Sequence, residues 1–128
     1  MLNFLERHKK IAVYFPLISY WLILIIATSL PSKDIPSIKL NDKIEHLLAY
    51  FILGFLFNIA VLVQNKFLFL KEKAFFSTII FLGIYAIIDE LHQIFIPGRD
   101  CSFLDWGADI LGVVFGVLLT YFLLKKFN

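Results

Sequence analysis

The sequence predicts an all-α membrane protein, a four-transmembrane-helix bundle. Three observations carry that prediction: an unusually apolar composition, four long apolar stretches parted by short polar ones, and a separation of basic from acidic residues along the chain. Of 128 residues, 60% are hydrophobic and 17% aromatic, and the mean hydropathy is +0.84. Soluble domains run at roughly 45–50% apolar, so a water-soluble fold of this length could not hide so much apolar surface. Twelve Lys and Arg against ten Asp and Glu leave a net charge of +2, too small an excess for a nucleic-acid binder. The single cysteine, Cys101, excludes an internal disulfide framework and a cysteine-based metal cluster.

The first span, residues 11–30, is twenty residues without a charge. At about 1.5 Å per residue it matches the ~30 Å hydrocarbon core. Arg7, Lys9 and Lys10 before it and Ala27-Thr28-Ser29 within it also resemble a signal peptide, but the run is longer than the usual signal core of about 7–15 residues. The remaining spans are expected at about 46–64, 73–92 and 105–124, and the whole chain, 1–128, reads as one integral membrane domain without repeats or low-complexity tracts.

Spans three and four have short uncharged cores, Ala74 to Ile88 and Ile110 to Leu124, of fifteen residues each. Fifteen residues reach only about 22 Å. If both helices cross, Asp89, Glu90, His92, Gln93, Asp105 and Asp109 are drawn inward, where carboxylates line a polar pocket rather than face lipid.

Lys and Arg set the expected orientation. Arg7, Lys9 and Lys10, then Lys66, Lys71 and Lys73, then Lys125 and Lys126 fall on one side, eight of the twelve. By the positive-inside rule that side is cytoplasmic and holds both termini. The other side carries eight of the ten acids (Asp34, Asp42, Glu45, Asp89, Glu90, Asp100, Asp105 and Asp109) against Lys33, Lys39, Lys43 and Arg99. Phe67-Leu68-Phe69-Leu70, between lysines, is read as lying at the interface, and Glu6 and His8 as interfacial.

Helical spacing gathers the polar residues on faces. Asp42, His46, Tyr50 and Leu53 follow at four, four and three, with Lys43 beside them. Tyr85, Asp89 and Gln93 are four apart. Asp105, Asp109, Gly112 and Gly116 run at four, three and four, so two carboxylates stand above a GxxxG track that admits a neighbouring backbone, within the monomer or in helix–helix association through Gly112 and Gly116. Pro97-Gly98 suits the centre of a type II turn that would aim Arg99, either to pair with Asp89, Glu90 or Asp105 or to meet an anionic headgroup. Asn41 or Asp42 and Ser102 are helix caps by position. Asp89, Glu90 and His92 sit near a helix carboxy end, where negative charge is disfavoured, so they need a further reason. Trp21 and Trp106 are read as packing or interface residues.

The segments Asp42-Lys43-x-x-His46-x-x-x-Tyr50, Asp89-Glu90-x-x-Gln93-x-Phe95-x-Pro97-Gly98-Arg99 and Asp105-x-x-x-Asp109-x-x-Gly112 together resemble the signature segments of the VanZ-like membrane proteins, over residues 42 to 116. Asp109 stands where that pattern commonly has asparagine. The resemblance implies a bacterial plasma-membrane protein, with a founding relative associated with resistance to the glycopeptide teicoplanin, and it brings no established reaction.

Two functions follow as expectations. The first is an envelope protein whose polar, extracytoplasmic pocket (Asp42, Lys43, His46, Tyr50, Asp89, Glu90, Gln93, Arg99, Asp105 and Asp109) binds a lipid headgroup, cell-wall precursor or lipoglycopeptide, with membrane lipids as partners. The alternative is a membrane-embedded hydrolase or transferase on a lipid-linked substrate, with His46 as acid or base, Asp89, Glu90 or Asp105 as its partners, and Arg99 and Lys43 on a phosphate. No GxSxG or HExxH occurs. A metal variant would use His46, Asp89, Glu90 and His92. That spacing matches no recognised metal motif, and no metal or cofactor is expected.

Overall fold

The computed structural model describes residues 1–31, 33 and 42–127. Its elements are α1 (Leu2–Arg7), a π-helical turn (Lys10–Tyr14) running into α2 (Phe15–Ser29), α3 (Asp42–Val63), the short α4 (Leu68–Glu72), α5 (Ala74–Gln93) and α6 (Phe103–Phe127). The π turn lies just before Pro16, whose ring nitrogen cannot donate to Ala12. The ladder widens there, and Phe15 N–H reaches the Lys10 carbonyl five residues back.

Four helices are long and apolar enough to cross a membrane: Lys10–Ser29, Asp42–Val63, Ala74–Gln93 and Phe103–Phe127. Three of them extend past their uncharged runs and carry Asp42, Asp89, Glu90, Asp105 and Asp109 as helical residues. Burial is distributed as lipid demands. Ile18, Ile80 and Phe122 are exposed, whereas Asn58, Thr78, Asp89, Glu90, Gln93, Asp105, Asp109 and Thr120 are buried. In water that arrangement would be unstable; in lipid, apolar side chains face the solvent and polar ones find partners inside.

The bundle is organised on the α3–α6 seam, its most extensive interface. Gly112 and Gly116 are the reason. A Cβ on Gly112 would strike the Leu47 and Phe51 backbone, and one on Gly116 the backbone of Phe51 and Phe55. Gly54 answers from α3, where a Cβ would lie 2.8 Å from Val113 Cα. The GxxxG face is thus occupied by the chain's own third helix. Leu53, Val113 and Val117 fill the seam, Leu82 and Ala86 close it from α5, and all five are 0% exposed. Asn58 ties α3 to α5 by donating to Ala74 O at 3.0 Å and Thr78 Oγ1 at 2.9 Å.

At the end that holds the chain termini, Lys71 donates to Glu6 Oε1 and Asn65 Oδ1, both at 2.8 Å, docking α1 against the α3–α5 connection. Phe67, Leu68 and Phe69 stay exposed there, consistent with an interfacial position. At the opposite end, Arg99 N–H closes a turn on Ile96 O at 3.2 Å and Gly98 has φ 76°. That is the type II geometry expected of Pro97-Gly98.

Candidate functional site

Three helix ends meet opposite the termini: the start of α3, the end of α5 and the start of α6. The side chains they bring together were almost all on the sequence-derived faces. Along α3 the stripe runs inward from exposed Asp42, through half-buried His46, to Tyr50 at 3% and Leu53 at 0% exposure. On α5, Asp89, Glu90 and Gln93 are buried, and on α6 so are Asp105 and Asp109. The glycine track explains the last two: with Gly112 and Gly116 pressed on α3, residues one and two turns earlier on that face must also point at α3.

The His46 ring is the hub. Its Nδ1 is hydrogen-bonded to Asp109 Oδ1 at 2.8 Å and lies 3.7 Å from Glu90 Oε1. The opposite edge, Nε2, lies 3.8 Å from Asp105 Oδ2 and 4.0 Å from Asp42 Oδ1. Lys43 Nζ hydrogen-bonds Asp105 Oδ1. Deeper in, Tyr50 donates its hydroxyl to Asp89 Oδ2 at 3.1 Å. Glu90 Oε2 accepts the Ser102 backbone N–H at 3.1 Å, and Ser102 O accepts from Trp106 N–H at 3.2 Å. Glu90 therefore anchors the amino end of α6, which accounts for an acid at the carboxy end of α5.

Several expectations change. Arg99 pairs with none of Asp89, Glu90 and Asp105. Its Nε and one terminal nitrogen instead donate to Leu30 O at 3.1 Å and Ala27 O at 2.8 Å, capping the end of α2, where Ala27 O otherwise takes a 3.4 Å bond from Leu30 N–H. His92 is exposed and outside the cluster, because it lies about 100° around the helix from its buried neighbour Gln93. The set His46, Asp89, Glu90 and His92 is therefore not assembled. Asp109 takes the place of Asp89 and His92 beside His46 and Glu90. Trp106 turns its indole N–H onto Gly83 O at 3.2 Å, a packing role. The cap at Asn41 lies outside the described residues.

The first span also contributes, which nothing in its uncharged run signalled. Tyr20 donates to Ala49 O at 2.8 Å, holding α2 against α3. Leu24, Ala27 and Thr28 then wall a hollow of about 160 Å³ whose other side is His46, Tyr50, Asp89 and Gln93. A second hollow of about 250 Å³, lined by Asp42, Gly98, Asp100 and Asp105, shares His46, Gln93 and Arg99 with it. The two form one notch, apolar on the α2 side and polar on the other. An apolar hollow of about 300 Å³ between Ile87, Leu91, Phe103 and Trp106 lies on the α5–α6 seam, with Glu90 at its edge.

No curated protein and no solved structure matches the chain. The family model described as VanZ/LLP1 matches residues 3–124, reaching well beyond the motifs at 42 to 116. With nearly the whole chain inside that match, and with the motif residues converging on one buried cluster, the chain belongs to the VanZ/LLP1 family.

Proposed function

We propose that this protein is a multi-pass protein of the bacterial plasma membrane, with both termini cytoplasmic and the notch opening outward, that takes the polar head of an envelope amphiphile into the notch. The observation that carries this reading is the notch's two-sidedness: a mostly apolar wall of Leu24, Ala27 and Thr28 from α2, and His46, Tyr50, Asp89 and Gln93 facing it. A lipid head with the root of its chain has that same division. Its volume admits a small head, since drug-sized ligands need about 300–1,000 Å³. A cell-wall precursor or a lipoglycopeptide would enter only by such a part.

The charge in the notch narrows the ligand. Lys43 is engaged by Asp105, and Arg99, which keeps its charge on two neutral carbonyls, lines the notch against five carboxylates, Asp42, Glu45, Asp89, Asp100 and Asp105. Such a lining favours an ammonium or a hydroxyl-rich sugar over a bare phosphate. Gln93 Nε2 is buried without a partner, a donor set toward an acceptor on the head. Eight of twelve basic residues at the terminus end support the orientation.

Native mass spectrometry of protein extracted gently from its own membranes tests the reading. Wild type should retain a defined amphiphile, and Gln93→Leu and His46→Ala should lose it. Wild type carrying nothing specific, or Gln93→Leu retaining the same species, overturns it.

The 2.8 Å contact of His46 with Asp109 favours a second reading, a membrane-embedded hydrolase or transferase in which Asp109 orients an acid–base histidine. Incubation with lipid extract of the source membrane, read by mass spectrometry, should then show a species consumed by wild type and spared by His46→Ala. No such species would remove this reading.

A further inference from the structure

We propose that His46, Glu90 and Asp109 form a binding site for one divalent first-row metal ion of the Zn²⁺ or Mn²⁺ class. Their donor atoms, one from each residue, lie within 4.8 Å of one another. They come from three different helices, so the site exists only when α3, α5 and α6 are assembled.

Three observations point to a cation. The first is two orphaned oxygens: Glu90 Oε1 and Asp109 Oδ2 are buried without hydrogen-bond partners, on residues 3% and 0% exposed. Buried carboxylate oxygens without partners are costly, and a metal ion supplies what they lack. Glu90 Oε1 is not loosely placed. Its sister oxygen is fixed by Ser102 N–H at 3.1 Å, which leaves Oε1 facing His46 Nδ1 at 3.7 Å.

The second is charge. Asp89, Glu90, Asp105 and Asp109 are all buried, and among the described residues the cations beside them are Lys43 and, when protonated, His46. Two positive charges do not balance four buried carboxylates in a membrane interior. A divalent ion bound in place of the Nδ1 proton halves that deficit, from two charges to one.

The third is the orientation of the ring. Nδ1 faces Asp109 and Glu90, while Nε2 faces Asp105 and Asp42. A metal-bound imidazole commonly turns its other N–H to a carboxylate, which fixes the tautomer. Here the outer carboxylates would hold Nε2–H, and the metal would replace the proton on Nδ1, which leaves to solvent. One nitrogen with carboxylate oxygens suits Zn²⁺ or Mn²⁺ better than Mg²⁺ or Ca²⁺. Three protein ligands also leave coordination positions open. Spacing along the chain, from which no metal was expected, cannot show a ligand set drawn from three helices.

The site shares His46 with the notch but does not depend on the headgroup reading. Protein purified without a polyhistidine tag, stripped of metal and lipid, would be titrated with Zn²⁺ and with Mn²⁺ by calorimetry and elemental analysis. One ion per chain is expected, with affinity reduced at least tenfold in Asp109→Asn and in Glu90→Gln. No stoichiometric ion, or binding indifferent to both substitutions, overturns the proposal. A second measurement does not rely on those variants folding. His8→Gln with His92→Gln leaves His46 as the only histidine. Pulsed paramagnetic resonance of bound Mn²⁺ should then show histidine nitrogen coupling, and its absence overturns the proposal. A retained amphiphile is read separately by native mass spectrometry.

Discussion

Replacing Gly116 by alanine should destabilise the bundle, and Gly107→Ala provides the comparison that isolates the cause. A Cβ on Gly116 would stand closest to Phe51 O, then 2.6 Å from Phe55 N and 3.1 Å from Gly54 C, all backbone atoms, whereas real Cβ contacts under 3.0 Å are essentially never seen and ordinary contact begins at 3.4 Å. Backbone cannot swing aside, so α3 and α6 must part by about 1 Å to clear Phe51 O, a gap that forfeits a quarter to a half of each dispersion contact it opens. Forcing extra carbon into a well-packed core costs about 1–3 kcal/mol. Removing a helical glycine returns about 0.5–1 kcal/mol. The net loss is therefore about 1–2 kcal/mol, a factor of about 5–30 in the folded-to-unfolded ratio. At Gly107 a Cβ meets nothing within 4 Å, so Gly107→Ala should show only the gain. Reversible unfolding in mixed micelles with increasing dodecyl sulfate, followed by circular dichroism, measures both. Gly116→Ala as stable as Gly107→Ala would refute the argument that close backbone approach sets the α3–α6 seam.

Three further outcomes are expected. Arg99→Ala removes two charge-assisted hydrogen bonds to the end of α2 and should cost about 1.5–3 kcal/mol, with faster amide exchange confined to the last turn of α2; uniform exchange would contradict the capping role. The Lys71 ammonium, by hydrogen bond and by charge, holds the Glu6 carboxyl below its ordinary value of 4.5. The docking of α1 should thus be fully present above pH 4.5 and be lost as the pH falls through the lowered value. A spin label on α1 should loosen over that acid range, and Glu6→Gln should be loose throughout; an immobile label in Glu6→Gln would count against the ion pair. Asn58→Leu removes the two bonds to Ala74 and Thr78 but also the unpartnered Asn58 Oδ1. Its cost should stay below about 2 kcal/mol, the upper range for interhelical polar contacts in membranes, and a larger loss by the same unfolding assay would show that the pair carries more.

The sequence by itself determined the fold class, because lipid imposes a one-dimensional code: length of apolar run, and distribution of basic residues along the chain. It also determined which faces carry the polar residues. Helical periodicity places Asp42, His46 and Tyr50, or Asp105, Asp109 and Gly112, on one side whatever the helix packs against. The short uncharged cores of spans three and four even required that Asp89, Glu90, Asp105 and Asp109 go inward, and they do.

What periodicity cannot express is which face meets which, and at what height. That Asp109 rather than Asp89 stands beside His46 depends on the register of α6 against α3, set by glycines that let two backbones close. That Arg99 caps α2 rather than pairing with an acid depends on where α2 ends, sixty-nine residues away from it in sequence at Leu30. The contribution of α2 to the notch was invisible for the same reason: its wall residues are ordinary aliphatic and hydroxyl side chains, and only their position beside Tyr50 and Gln93 gives them a role. Local chemistry is written along the chain, but distances between helices arise from side-chain shape at the seams, and there the tertiary structure alone decided.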